Sequence, residues 1–252
     1  MASQFLASYA SNGLSIVADR TPVALADGDE PNVLQLATAH RQHGVCELLQ
    51  TGDAGPFFAA EMRAAGAYLH YVRRHPEGGA ASRAKPFLDA VAGGYRDAAA
   101  DIGEVCGRWP WDPDREYQED ALYLQTLMDL VQGADVGPRL AAYEAASAGL
   151  DDPRPALVRA LAERDAEAFR TAFADVAAAR AEQLAVWEAG GVLTLETAAW
   201  VRPFHLEGAA LVRLAGWLGL DVGGPHPGVP GPVRAEPPAP FDPRAWERVP
   251  DR

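Results

Sequence analysis

The sequence has little positive charge, and this shortage narrows the classes of protein to which it can belong. Its 252 residues include 22 Lys and Arg against 35 Asp and Glu, which gives a formal net charge of −13. Lys85 is the only lysine. A nucleic-acid-binding surface needs clustered cations to neutralise phosphates, and attachment to an anionic membrane surface needs basic residues as well. We therefore expect neither a nucleic acid nor a membrane as partner.

Cysteines and long apolar runs are also scarce. Cys46 and Cys106 are the only cysteines, too few for a disulfide framework. The N-terminal region has no basic stretch followed by a continuous apolar run, so no signal peptide is predicted. No apolar run reaches the roughly 18 residues of a membrane helix. We expect a cytoplasmic protein.

Several motifs that carry chemistry are absent from the sequence. It contains no G-x-x-x-x-G-K-[ST], G-x-G-x-x-G or G-x-S-x-G, the signatures of phosphate loops, dinucleotide sites and serine hydrolases. His40, His43 and Glu47 share a helix face, but they lack the spacing of zinc motifs and any further cluster of ligands. We expect no metal and no cofactor, with one of these histidines against the core and the other at the surface.

Apolar residues recur every three or four positions through most of the chain, which is typical of helices. Asp114 is a candidate N-cap for the central helix, Gly133 is expected to end it, and Pro203 to kink or divide the last helical region. Almost no segment alternates with period two. We predict an all-α fold of helical hairpins packed in one domain, tetratricopeptide-like in part. The predicted helices cover 31–50, 56–72, a continuous stretch over 88–105, 117–131, a short segment from 138, 157–161, 169–187 and 195–219.

The C-terminal region has a different composition. Nine of the 20 prolines lie in residues 223–252, which predicts an extended tail without helix or sheet that runs over the body. The predicted organisation is therefore an all-α domain over 1–222, followed by a proline-rich tail over 223–252.

Three stretches resemble a known family. The run DREYQEDALYLQTLMDLVQGADVGPRLAAYEAA resembles the central segment of the bacterial immunity protein family forty-nine. The run ALVRALAERDAEAFRTAFADVAAARAEQL resembles the helical pair that follows in that family, and AAWVRPFHLEGAALVRLAGWLGLDV resembles its last helix. The resemblance covers roughly 112–225 and is carried by Asp114, Glu116, Tyr117, Leu124, Gln125, Thr126, Asp165, Phe169 and Phe173.

The resemblance implies a cytoplasmic immunity protein that binds a cognate bacterial toxin and neutralises it by occlusion, without catalysis. A net charge of −13 would suit a toxin with a basic cleft and would speed association. Under this hypothesis we place the contacts in one stretch of sequence, with two tryptophans as aromatic anchors. The predicted contact residues are Trp109, Trp111, Asp112, Asp114, Glu116, Glu119 and Asp120.

An alternative hypothesis is a small-molecule-binding protein or an enzyme of specialised metabolism or self-resistance. All-α bundles can hold ligands between helices, and polar residues in otherwise apolar stretches are candidates to line such a pocket. An interior pocket that holds two of these residues would favour this alternative, whereas a solid core with an acidic outer face would favour toxin binding. The candidates are His70, Tyr123, Gln125, His205 and Glu207.

Overall fold

The computed structural model describes residues 2–250, except for the side chains of residues 2, 3 and 27. Within this range the fold is all-α, as predicted, and contains helical hairpins and no β-strand. The helices are α1 (Ala2–Asp27), α2 (Glu30–Thr51), α3 (Gly55–Arg74), α4 (Pro86–Ala92), α5 (Arg96–Cys106), α6 (Gln118–Gln132), α7 (Gly137–Ala146), α8 (Arg154–Glu163), α9 (Ala166–Ala189), α10 (Leu195–Val201) and α11 (Leu206–Trp217).

Short connections fold consecutive helices against one another. Helices α1, α2 and α3 pack in succession, and α8 packs against α9. The turn between α8 and α9 places Arg164 in the left-handed region and Asp165 at the N-cap of α9. One large apolar core contains side chains from helices α2, α3, α4, α5, α6, α8, α9 and α11. Its largest fully buried side chains include Tyr68, Phe87 and Phe169.

Helix α1 is absent from the predicted helices. It buries Leu6, Ala10, Val17 and Ala24 along one face, although Pro22 lies inside it. Several inward positions carry small or weakly polar residues, so the apolar period is faint in the sequence. The smallest of them, Gly13, approaches α2 so closely that a Cβ there would lie 2.9 Å from the carbonyl oxygen of Ala39.

Two predicted local features are corrected. The continuous helix expected over 88–105 is divided into α4 and α5, because Gly94 adopts a φ of 81° between them. Asp114 does not cap the central helix: Tyr117 occupies the N-cap position of α6, and Asp114 lies in the preceding turn. Gly133 does end α6 with a φ of 69°, and Pro203 lies between α10 and α11.

Beyond α11 the chain crosses the body through specific contacts. His205 donates its backbone N–H to the carbonyl oxygen of Gly228 at 2.8 Å. Arg213 donates to the carbonyl oxygens of Val233 and Ala235 at 2.8 and 2.6 Å. The indole of Trp246 is 1% exposed. Short 3₁₀ helices occupy Gly231–Arg234 and Ala245–Glu247.

Among residues 2–250, no helix combines the length and the apolar character that crossing a membrane requires.

Candidate functional site

The first candidate surface is the acidic segment, defined as residues 110–119, which comprises most of the connection between α5 and α6 and the first two residues of α6. It presents two large aromatic side chains to solvent, Trp111 at 44% and Tyr117 at 75% exposure. Internal hydrogen bonds hold the turn: Trp111 Nε1 donates to the carbonyl oxygen of Glu116 at 3.1 Å, and the Asp114 N–H donates to Asp112 Oδ1 at 3.0 Å. The aromatic groups are therefore exposed on an ordered turn.

Charges in this segment are divided between outer and inner positions. Within residues 2–250, Asp112, Asp114 and Glu119 form no ion pair. Glu116 instead accepts the backbone N–H of Ser82 at 2.6 Å, and Arg115 reaches the buried carboxylate of Glu30 at 3.4 Å. The segment is thus anchored to the body through its inner charges.

Besides Glu116, two further predicted contact residues lie away from the outer face. Trp109 is 3% exposed, because its ring packs against Gly79 and its Nε1 donates to the carbonyl oxygen of Pro76 at 2.9 Å. It closes the core and is not an exposed anchor. Asp120 is paired with Arg154 at 3.0 Å. The outer face of the segment therefore has one tryptophan and fewer free carboxylates than predicted.

The second candidate surface is an open cleft of about 620 Å³. Residues spaced at three and four positions along one face of α2 form one wall, and the opposite wall comes from the first two turns of α6 and the starts of α8 and α11. The chain before α4 and the start of that helix complete the cleft. The lining residues are Pro31, Leu34, Thr38, Arg41, Ser82, Arg83, Lys85, Pro86, Leu88, Asp120, Tyr123, Leu124, Arg154 and Glu207.

Arg41 is fixed at the cleft by a buried carboxylate. Its Nε and Nη2 donate to Asp89 at 2.6 and 2.7 Å, and the Asp89 side chain is fully buried. Burial alone would lower the pKa of Arg41, but the charge and hydrogen bonds of Asp89 raise it above its ordinary value. The guanidinium therefore stays charged and keeps one orientation.

Arg154 is held in a similar way on the opposite wall. It pairs with Asp152 at 2.9 Å, and its guanidinium lies 4.8 Å above the ring of Tyr123. The Tyr123 hydroxyl donates to Glu207 at 2.5 Å. Burial, and then the negative charge of Glu207, raises the pKa of Tyr123 well above its ordinary value, so the phenol remains a proton donor.

The five candidate pocket residues do not meet in one interior cavity. Tyr123 and Glu207 come together in the open cleft, whereas the other three have separate partners. Gln125 donates to the carbonyl oxygen of Trp109 at 2.8 Å. The ring of His70 lies 5.1 Å from that of Trp246. His205 packs against Gly208 and Gly228, and burial followed by the charge of Arg180 lowers its pKa to about 3.

No metal site is found in the part of the chain that the structure describes, where no three His, Cys, Asp or Glu side chains are grouped for coordination. His40 is fully buried and His43 is half-buried. Both cysteines are free and buried, and burial raises the pKa of Cys46 and of Cys106 to about 12. These thiols are poor nucleophiles at neutral pH.

Sequence reasoning missed the cations of the cleft. Arg41 lies in α2, Lys85 directly before α4 and Arg154 at the start of α8, and no local spacing relates them. Two signals were present: Lys85 is the only lysine in the chain, and Asp89 interrupts the apolar run PFLDAVA at the start of α4. A carboxylate in such a run requires a buried cationic or hydrogen-bonding partner.

The acidic segment and the cleft are neighbours. Glu116 contacts Ser82 at the cleft, and Glu30 accepts hydrogen bonds from both Arg115 of the segment and Arg83 of the cleft, at 3.4 and 3.3 Å.

Comparison of the chain with family models, curated proteins and solved structures gives no match. We therefore infer the function from the geometry of these two surfaces and from the sequence resemblance.

Proposed function

We propose that the protein is a non-catalytic immunity protein that binds a cognate bacterial toxin and blocks it by occlusion. The observation that carries this proposal is the acidic segment, in which Trp111 and Tyr117 are exposed at 44% and 75% among unpaired carboxylates. Tryptophan and tyrosine are enriched among the residues that dominate binding energy at interfaces. An ordered turn also loses little conformational entropy when a partner binds. The resemblance to the bacterial immunity protein family forty-nine supports the same function.

Charge indicates what kind of toxin surface would be recognised. The chain carries a formal net charge of −13, and within residues 2–250 Asp112, Asp114 and Glu119 of the segment have no cationic partner, with Asp114 exposed. Such a surface favours a basic partner and accelerates the encounter at low ionic strength. A toxin whose basic catalytic cleft is covered by this segment would lose access to its substrate.

The test is protection of a bacterial host that produces a candidate toxin encoded beside this gene. We expect the wild-type chain to restore growth and to form a stoichiometric complex with the toxin in native mass spectrometry. Replacing Trp111 and Tyr117 by alanine should remove protection. Hot-spot truncations cost about 2 kcal/mol or more, so we expect each variant to weaken toxin affinity at least about thirtyfold.

Trp187→Ala provides the matched control. Trp187 is 43% exposed at the end of α9, so this change removes an equally exposed indole outside the segment. It should protect the host as well as the wild-type chain does. Protection by the Trp111→Ala, Tyr117→Ala double variant equal to that of the wild type would overturn the placement of the contact. Failure of the wild-type chain to bind or protect would overturn the function.

Binding of a small molecule is the second candidate function, and one observation favours it. Tyr123 and Glu207, two of the residues proposed from the sequence to line a pocket, meet in the open cleft at 2.5 Å. The same cleft carries the fixed guanidinium groups of Arg41 and Arg154, and small-molecule sites use a few such fixed polar groups for recognition.

A further inference from the structure

The cleft presents more hydrogen-bond donors than its own carboxylates use. Lys85 forms no ion pair or side-chain hydrogen bond within residues 2–250, and Arg83 uses only Nη1, toward Glu30. Arg41 and Arg154 each direct two nitrogens to carboxylates, which leaves Nη1 of each without a protein partner in the same range. Four cations in one cleft are notable in a chain with a net charge of −13.

Most carboxylates near these cations are buried or already hydrogen-bonded, although the Asp120 side chain is 40% exposed. Asp89 is fully buried behind Arg41, and the side chains of Glu30 and Asp152 are only 7% and 11% exposed. The two carboxylates that do line the cleft are already engaged, Asp120 by Arg154 and Glu207 by the Tyr123 hydroxyl. Within residues 2–250, Lys85 Nζ and the Nη1 atoms of Arg41 and Arg154 therefore remain donors without a protein partner.

The rest of the lining is apolar. Leu34, Leu88 and Leu124 contribute from three helices, with Pro31 and Pro86 beside them. Small-molecule sites combine such apolar walls with a few fixed polar groups. Arg41 and Arg154 are held by buried or half-buried carboxylates before any ligand arrives, so binding does not have to order them.

From this arrangement we propose that the cleft is a binding site for a small organic anion, with a carboxylate or phosphate head at Arg41, Lys85, Arg83 and Arg154 and an apolar body against the leucines. The site gives the second candidate function its ligand class. It does not depend on toxin binding, because its lining excludes Trp111 and Tyr117.

Calorimetric titration of the full chain with four probes, each with an alkyl chain of seven or eight carbons, tests the proposal. Octanoate and octyl phosphate carry the anionic heads, octanol is neutral and octylamine is cationic. We expect saturable binding of at least one anion, with octanol and octylamine weaker by about tenfold or more, since charge-assisted hydrogen bonds contribute about twice as much as neutral ones. The ratio of the affinities for the two anionic probes identifies carboxylate or phosphate as the preferred head group.

Two variants locate the site. Lys85→Gln should weaken anion binding about fivefold and leave octanol unchanged, because it removes the charge and keeps a polar side chain. Thr38→Phe, at an exposed position of the lining, should reduce binding of every probe. Arg74→Gln is the control, since Arg74 is exposed at the end of α3 outside the cleft. Circular dichroism confirms that each variant is folded.

The proposal fails if neither anion binds, if octanol binds as tightly as octanoate and octyl phosphate, or if Lys85→Gln and Thr38→Phe bind as the wild type does. The host-protection assay separates this result from the first function. Lys85→Gln should protect against the toxin as the wild type does, so loss of anion binding and loss of protection are distinguishable.

Discussion

Among single residues, Glu61 of α3 lies in an environment that disfavours an ionised carboxylate. Its side chain is fully buried, and as a carboxylate it has no hydrogen-bond partner for either oxygen. Burial, and then the negative charge of Asp89, raises its pKa well above the ordinary value of 4.5. A protonated Glu61 can donate its O–H to Asp89, whose charge Arg41 balances. The core therefore accommodates Glu61 as the neutral acid.

This arrangement predicts a pH-dependent stability that Glu61→Gln should remove. The unfolded chain releases the Glu61 proton near pH 4.5, whereas the folded chain retains it to higher pH. The free energy of unfolding of the wild type should therefore fall relative to that of Glu61→Gln as pH rises above 4.5, with a slope of at most about 1.4 kcal/mol per pH unit. Urea unfolding followed by circular dichroism between pH 4.5 and 8 measures it.

Glu182→Gln is the control for this experiment, because Glu182 is exposed on α9. The free energy of unfolding of Glu182→Gln should vary with pH in the same way as that of the wild type. If the free energies of unfolding of the wild type and Glu61→Gln varied with pH in the same way, the conclusion that folded Glu61 is the neutral acid would be contradicted.

Helix prediction from the sequence succeeded where large apolar residues set the period and failed where small residues do. Phe58, Met62, Leu69 and Val72 give α3 a clear stripe. Helix α1 buries mostly alanine, glycine and threonine between its few larger residues, and such positions carry no apolar signal. The break between α4 and α5 depends on the backbone of Gly94, and a glycine inside an apolar period does not by itself reveal a left-handed conformation.

The close contact between α2 and α3 gives a prediction for these two helices. At Gly44, a Cβ would lie 2.4 Å from the Cβ of Ala60 and 3.1 Å from the Cα of Phe57. Gly44→Ala must push the helices apart, although alanine is the better helix former. We expect a loss of about 1–3 kcal/mol in the free energy of unfolding, measured by urea denaturation.

Gly216→Ala is the matched comparison, because Gly216 is also helical, in α11, and a Cβ there has no neighbour within 4 Å. This change should stabilise the chain by about 0.5–1 kcal/mol. Equal effects of the two substitutions would show that helix propensity, and not the close approach of α2 and α3, controls stability at Gly44.

At the scale of the whole molecule, the sequence indicated parts of the candidate site but not their assembly. The acidic segment is continuous in sequence, so its exposed carboxylates and Trp111 could be proposed directly. The cleft instead combines α2, the start of α4, the first two turns of α6 and the starts of α8 and α11. Tyr123 and Glu207 were recognised as polar residues in apolar stretches, but their contact spans 84 positions and depends on the packing of the whole chain.

Residues beyond α11 are integrated with the body through several elements. Phe241 packs on Tyr95 with ring centroids 5.6 Å apart, and the Asp242 N–H contacts Met62 Sδ at 3.4 Å. Trp246 lies over α3, where a Cβ on Gly66 would be 3.1 Å from its ring. This C-terminal stretch therefore covers apolar surface of α3 that would otherwise meet water.

Trp246→Ala tests whether that cover contributes to the stability of the body. Trp246 is 1% exposed, and truncating a buried tryptophan costs about 3–5 kcal/mol. We expect such a loss in urea denaturation, in a single transition seen by both helical circular dichroism and tryptophan fluorescence. Trp111→Ala removes an indole that is 44% exposed and should cost less than about 1 kcal/mol. If Trp246→Ala lowered the free energy of unfolding no more than Trp111→Ala does, the contacts of the C-terminal stretch with α3 would not contribute to the stability of the body.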